Sequence, residues 1–571
     1  MKKATTLLFC ILCLQNIQSQ TIVGANLDIN NIKARFNSEG SLFWDFSTGK
    51  FEVAKGSGSH TFFAAGLWVG GYDAGNVLKV AGQTYRQTGT DFWPGPLNTS
   101  GTTDSTTIHT YNKLWKVDKC AIDSFKVFCQ TGLPVGYITP SVITTWPGIN
   151  PWGQPLAPFF DANNDGLYNS DSCDYPLIKG DQAIFYVYND NGGLHTETGG
   201  PAIGIEIQAM AYAYNCKNDS ALYNTIFTNY RIINKSSFRL DSAFVGNWSD
   251  LDIGSYTDDY VACDVNRSAM YAYNGDLIDG PASVGSVPYG ANPPAQAVVF
   301  LAGPYADADG LDNASNTTPN GYDYGDGIVD NERLGMSNFI YYNNNQNSTN
   351  GNPSGADDYY QYMTSTWRNG TPVTYGGNGT TGLTPANYMF PGTSDPAGFG
   401  TGTVQTPWDE TTSANVPGDR RGLGSVGPFT FQPGAVQQVD FAYVYGRATS
   451  GGNLASVTVM QNRIDSVRQK FSAGITPCGC ATNPNGISSL TNENTFNFYP
   501  NPASTELNIN YTGGSKTYSI KVYDALGQLV KFVPSVSVNR NSLNIGDLNN
   551  GMYLINIYDG ENSVTKRFVK Q

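Results

Sequence analysis

A chain of 571 residues with 47 acidic and 33 basic side chains, at a formal net charge of −14, is poorly suited to binding nucleic acid or an anionic membrane. Only 14% of its residues are charged, while glycine (64) and tyrosine (35) are abundant, which favours a loop-rich all-β protein over a helical one. Asp outnumbers Glu by 38 to 9, and Asp suits turns and metal loops where Glu suits helices.

Lys2 and Lys3 precede the apolar run Leu7 to Leu14, and Gln18-Ser19-Gln20 supplies a cleavage region. This predicts a secretory signal peptide over residues 1–20, too short to span a membrane. No later stretch reaches about 18 apolar residues, so no transmembrane segment is expected. Residues 21–475 form the main region, long enough for two or three domains of about 150 residues or for one large β-sandwich-like fold with long loops. A division into two subdomains near 215 is one option. Seven cysteines follow the signal: Cys120, Cys129, Cys173, Cys216, Cys263, Cys478 and Cys480. In an exported chain they allow up to three disulfides and one remaining thiol, with the pairing left open. Cys478-Gly479-Cys480 has no second cysteine pair at zinc spacing, so a structural bridge is expected there.

Ala25 to about Thr145 reads as strands and turns, with a dense apolar patch at Phe62, Phe63, Leu67, Trp68 and Val69. Asp91-Phe92-Trp93-Pro94-Gly95-Pro96-Leu97 is an aromatic loop stiffened by prolines. Such rings stack on sugars or plug the end of a sandwich, and the plug is the expected role. The segment Asp161-Ala162-Asn163-Asn164-Asp165-Gly166-Leu167 places oxygen side chains at positions 1, 3 and 5 and glycine at 6. That is the first half of a calcium loop, with the Leu167 carbonyl as a further ligand. The Glu wanted at position 12 is absent, so Asp171 or Asp174 must complete the shell. Prolines upstream rule out the entering helix of an EF-hand, and the loop is similar to isolated thrombospondin-type and dockerin-type calcium loops.

Ala183 to Tyr188 and Ile203 to Tyr214 read as buried strands. The densest acidic stretch follows, with Asp250, Asp252, Asp258, Asp259 and Asp264 between Trp248 and Asp264. Carboxylates this close repel unless a cation or hydrogen bonds offset the charge. Calcium is the leading expectation, a solvated loop the second, and a glycosidase carboxylate pair the third. Asp307, Asp309 and Asp312, then Asp326 and Asp330, make two further loops with partial calcium-repeat patterns.

Asn343 to Gly402 reads as long loops. Gly377 to Gly382 and Gly422 to Gly427 both match G-x-G-x-x-G, but no helical pattern follows either, and both are expected to be loops. No G-x-S-x-G, H-E-x-x-H or P-loop is present. His60, His109 and His195 are the only histidines, and each is expected at a turn or on the surface. Val439 to Tyr445 alternates as a closing strand. Asn453 to Phe471 is the best helix, with Leu454, Val457, Met460, Ile464, Val467 and Phe471 at helical spacing. Residues 476–493 are a Pro/Gly/Asn linker.

From Phe496 on, Leu507/Ile509/Tyr511, Tyr518/Ile520/Val522 and Tyr553/Ile555/Ile557 alternate with polar residues, with turn residues between the runs. This predicts a small Ig-like β-sandwich of six or seven strands over residues 494–571. The Tyr499-Pro500-Asn501-Pro502 opening, Val522-Tyr523-Asp524-Ala525-Leu526-Gly527, Gly551-Met552-Tyr553 and the basic end Lys566-Arg567-Phe568-Val569-Lys570 carry a resemblance. They resemble the type A C-terminal sorting domain of the type IX secretion system. The resemblance implies export across an outer membrane, the secretion machinery as partner, and later removal of the domain. Asp91–Leu97, Asp174–Ala183, Trp248–Asp264 and Gly418–Gly434 are also similar to recurrent segments of large secreted proteins of Bacteroidota-type bacteria. That resemblance implies no active site and no ligand. The expectation is therefore a secreted or surface-displayed, calcium-stabilised binding, adhesion or structural β protein, with a glycan or surface ligand as extracellular partner. The alternative is a secreted polysaccharide hydrolase using Asp carboxylates.

Overall fold

The computed structural model describes residues 21–571 except 86–88, 135, 282–284, 316, 480–495, 512–516, 525–528, 538–541 and 559–562. The expected signal peptide and the linker from residue 480 onward lie outside the described residues. Two compact units result, Met1–Cys478 and Gly479–Gln571.

The main unit is built on two antiparallel sheets. In the nine-stranded sheet, Val436–Gly446 lies between Ala295–Ala302 and Thr225–Asn234. The sheet continues on one side through Ile205–Ala213 and Gln182–Asn189 to the short Trp93–Pro94 and Trp115–Asp118. On the other it continues through Ala269–Asn274 to Asp259–Asp264. The five-stranded sheet runs Asn338–Tyr342, Arg421–Phe431, Leu240–Asp250, Ala64–Asp73 and Leu78–Ala81. The sheets face each other. Asn247 Nδ2 of one donates to the Tyr443 hydroxyl of the other at 2.9 Å, and the Phe43 ring meets Tyr443 at 4.8 Å between centroids. One continuous apolar core fills the space between them. Gln182–Asn189 and Ile205–Ala213 are buried along their whole length, as the apolar run Ala183 to Tyr188 predicts for the first, while the second also buries the polar Glu206 and Gln208.

Position 215 lies in the connection between Ile205–Ala213 and Thr225–Asn234, which pair residue by residue. The division near 215 is therefore not found, because the chain there turns within one sheet. The helix Gly452–Ala473 buries Val457, Met460, Ile464 and Val467 against the nine-stranded sheet, while Leu454 faces solvent.

Three expectations need correction. Gly422 to Gly427 belongs to the strand Arg421–Phe431, because a side chain at Gly424 would meet the Phe300 ring of the facing sheet at 2.7 Å. The glycines serve close sheet packing. Within Ala25 to Thr145, Lys119–Thr131 is a helix ended by Gly132 at φ +69. Within the expected long loops, Ala356–Met363 is another helix, which packs three of its tyrosines inward. The disulfide Cys129–Cys173 ties the helix Lys119–Thr131 to the 3-10 turn Ser170–Ser172, and Cys216–Cys478 ties the connection after Ile205–Ala213 to the segment after Gly452–Ala473. Cys120 is also disulfide-bonded, and Cys263 is a buried free thiol.

Among the described residues the second unit has seven strands, in a three-stranded and a four-stranded sheet. Leu507, Ile509, Ile520, Val522, Ile555, Ile557 and Phe568 form its own core, on the faces the alternation predicts.

Candidate functional site

Strand register assembles the site. In the five-stranded sheet Asp250 pairs directly with Arg421 on one side and with Ala64 on the other. Residues two apart in extended chain share a face, so Asp252 follows Asp250 and Asp419 precedes Arg421 toward the same place. Trp44, Phe63, Tyr85 and Tyr256 add aromatic walls and His60 a further edge, enclosing a cavity of about 380 Å3.

Carboxylate oxygens of Asp250, Asp252 and Asp419 all lie within 4.8 Å of one another. Arg421 Nη2 is 3.2 Å from Asp250 Oδ2, and Arg421 Nη1 is ion-paired with Asp419. The Tyr85 hydroxyl donates to Asp250 Oδ2 and accepts from Arg421 Nε and Nη2 at 3.0 and 2.8 Å. His60 Nε2 stands 4.0 Å from Asp252 Oδ2. Asp250 and Asp252 are only 2% and 4% exposed, yet Oδ1 of each has no hydrogen-bond partner, and neither has Trp44 Nε1. Unpaired acceptors in such surroundings are costly.

Burial pushes the Asp250 carboxyl up to about 6, with Arg421 opposing and Asp419 adding to the rise. Burial also raises Asp252 well above the usual range, helped by the charges of Asp250 and Asp419. His60 is pushed the other way, to about 4, by burial and by Lys50, so it is neutral at neutral pH.

Of the five acids foreseen between residues 250 and 264, the cavity takes two. Asp259 is buried and caps the Ile253 amide at 2.8 Å, Asp258 accepts from the Gly280 amide at 3.2 Å, and Asp264 pairs with Arg267 at 2.8 Å. The other foreseen ligands lie elsewhere. Asp161 accepts from the Asp165 and Gly166 amides, Asn163 donates to Asp165, and Leu167 is exposed. Asp174 is buried and bridges the Ala162 and Asn169 amides, while Asp171 sits exposed in a short 3-10 turn. Asp330 caps the Asp309 and Gly310 amides, and Asp312 caps Gly325 and Gly327, so these two loops lock together. Asp309 and Asp326 cap amides two residues on, and Asp307 holds Thr430. Among the described residues, these exposed loops bring no three carboxylates together as the cavity does. Asp181 stands near Cys216 and Cys478, but both sulfurs are in a disulfide.

Sequence reasoning missed Asp419, Arg421, Tyr85 and Trp44. They are distant in the chain, and the only local signal was the charged run Asp419-Arg420-Arg421 before a glycine-rich strand. It also misplaced two histidines. His60 is buried at the cavity, and His195 is buried with its ring nitrogens 3.6 and 3.7 Å from Asp91 and Asp190. His109 is exposed as expected.

The fold and its cavity define a β-sandwich protein with a carboxylate pocket and a second, separately cored β unit. Residues 497–571, within that second unit, match the family described as secretion system C-terminal sorting domain. The protein is thus cargo of the type IX secretion system, exported to the cell surface or the extracellular space. Among the described residues no helix is long and apolar enough to cross a membrane. No curated protein matches the chain. Among solved structures, a polysaccharide lyase is similar at 7% identity and a TM-score of 0.17, over 75% of this chain. The chain spans 42% of that protein's length, and a likeness of this size bears on neither activity nor substrate.

Proposed function

We propose that this protein is an exported binding protein whose cavity holds a calcium ion between Asp250, Asp252 and Asp419. The supporting observation is the convergence of three carboxylates within 4.8 Å, with buried Asp250 and Asp252 oxygens left without partners. Three carboxylates against the one guanidinium of Arg421 leave two negative charges, which one divalent cation cancels. The donors are all oxygen, the chemistry of calcium rather than of zinc or copper. A glycosidase would hold its two carboxyl groups about 5–9 Å apart across a bond. Oxygens crowded around one point favour the ion, so the hydrolase reading is the weaker one. The exposed acidic loops are also weaker candidates, since their carboxylates cap backbone amides.

Calcium titration of the full chain by calorimetry tests the reading. One site is expected, with a melting temperature that rises with calcium and falls with chelator. A ligand at a hundredfold excess over its Kd adds about 2.7 kcal/mol to stability. Asp419→Asn and the isosteric Asp252→Asn should abolish most of the response, while Asp165→Ala should leave most of it intact. Identical melting curves in calcium and in chelator would overturn the proposal.

A further inference from the structure

Resting on that reading, we infer that the cavity's occupant is a neutral sugar, one or two rings long, that chelates the bound cation through two adjacent hydroxyls. Calcium takes six to eight oxygens. Asp250 Oδ2 is already held by Tyr85 and Arg421, and Asp419 Oδ1 by Arg421. The three carboxylates therefore retain four oxygens between them, and at least two positions on the ion remain open toward the cavity. A vicinal diol fills two neighbouring positions at once.

Charge selects against acidic ligands. With the ion bound, the site is balanced. Among the described residues lining the cavity, Arg421 is the one lysine or arginine. Its guanidinium is already committed to Asp250, Asp419 and the Tyr85 hydroxyl. A uronate, sulfate or phosphate would find no free positive group to meet it.

The walls fit the same ligand. Phe63, Tyr85 and Tyr256, each partly exposed, offer apolar surface for the C–H face of a pyranose ring. The buried Trp44 indole N–H lacks an acceptor. Sugar hydroxyls both donate and accept, so one ring can serve that donor and the ion together. A cavity of about 380 Å3 lies at the low end of the roughly 300–1,000 Å3 usual for small-molecule pockets, which leaves room inside for one or two rings.

The test is calorimetry on the full chain with three probes: methyl α-mannoside, its 2-deoxy analogue and methyl glucuronoside. Calcium alone is titrated first. We expect the neutral glycoside to bind in millimolar calcium, with a loss of at least tenfold in chelator, in Asp419→Asn and for the deoxy probe. Methyl β-galactoside and methyl α-fucoside extend the neutral panel, because different rings orient their adjacent hydroxyls differently. Calcium binding with no heat from any neutral glycoside overturns this inference and leaves the calcium reading standing. Preference for the uronate, or neutral binding indifferent to chelator, overturns it too. Absence of calcium binding removes the reading beneath it. If Asp419→Asn proves unfolded, Asp252→Asn serves as the second variant.

Discussion

His60 and Asp250 face the same cavity, and the same burial moves their protonation in opposite senses relative to pH. Burial favours the neutral form of each: His60 loses its proton down to about 4 and Asp250 keeps its proton up to about 6. The consequences for stability have opposite sign. Between pH 6.5 and about 4 the unfolded state binds more protons at His60 than the folded state does, so stability falls as pH drops through that window. For Asp250 the folded state binds more protons between 3.8 and about 6, so without the cation stability falls as pH rises through that range. His60→Gln removes only the first effect. In chelator, the variant should gain stability relative to the parent on going from pH 7 to pH 5, by up to about 2 kcal/mol at roughly 1.4 kcal/mol per unit. Denaturant midpoints at the two pH values measure this. Equal pH slopes for parent and variant would mean that His60 takes up its proton while folded.

At the scale of the element, the strand Arg421–Phe431 shows what sequence patterning can and cannot carry. Its Gly-x-Gly opening reads as a loop because glycine weakens an isolated strand. The structure needs it there because the Phe300 ring of the facing sheet occupies the space of a Gly424 side chain. Gly424→Ala should therefore cost about 1–3 kcal/mol, the usual range for overpacking, read as a lowered urea midpoint at unchanged slope. An unchanged midpoint would show that Phe300 moves aside without cost. Strands with unbroken apolar runs, such as Gln182–Asn189, were legible because burial on both faces leaves no alternation to confuse them. So was the helix Gly452–Ala473, where Val457, Met460, Ile464 and Val467 keep helical spacing. The helix Lys119–Thr131 was hidden because only Ile122 and Phe125 are buried, too narrow a stripe to stand out. The cavity was half legible for a related reason. Asp250 and Asp252 are near neighbours in sequence and declare themselves as an acidic cluster. Asp419 and Arg421 join them only through the pairing of Asp250 with Arg421, and cross-strand register between distant segments leaves no mark on composition or spacing.

At the scale of the whole molecule, the sorting domain and the carboxylate cavity belong to different units with different cores. The main unit closes its core around residues from Leu27 to Val467, and the second unit closes its own around Leu507, Ile520, Ile555 and Phe568. The residues of the carboxylate cavity all come from the main unit, while the sorting family match falls wholly in the second. A deletion of residues 496–571 should then separate the two properties. Cys478 is retained, so its disulfide to Cys216 still fastens the end of the main unit. The truncated protein should keep its melting temperature, its calcium response and its His60-dependent pH slope, because no residue behind them is removed. It should also fail to reach the outside and accumulate in the periplasm, because the signal read by the type IX machinery is gone. Cell fractionation with an antibody to the main unit gives the second readout, and melting curves on periplasmic material give the first. Truncated protein appearing normally in the medium or on the cell surface would show that export does not depend on the second unit. A collapsed melting temperature would show instead that the two cores, though separate in composition, are coupled in stability.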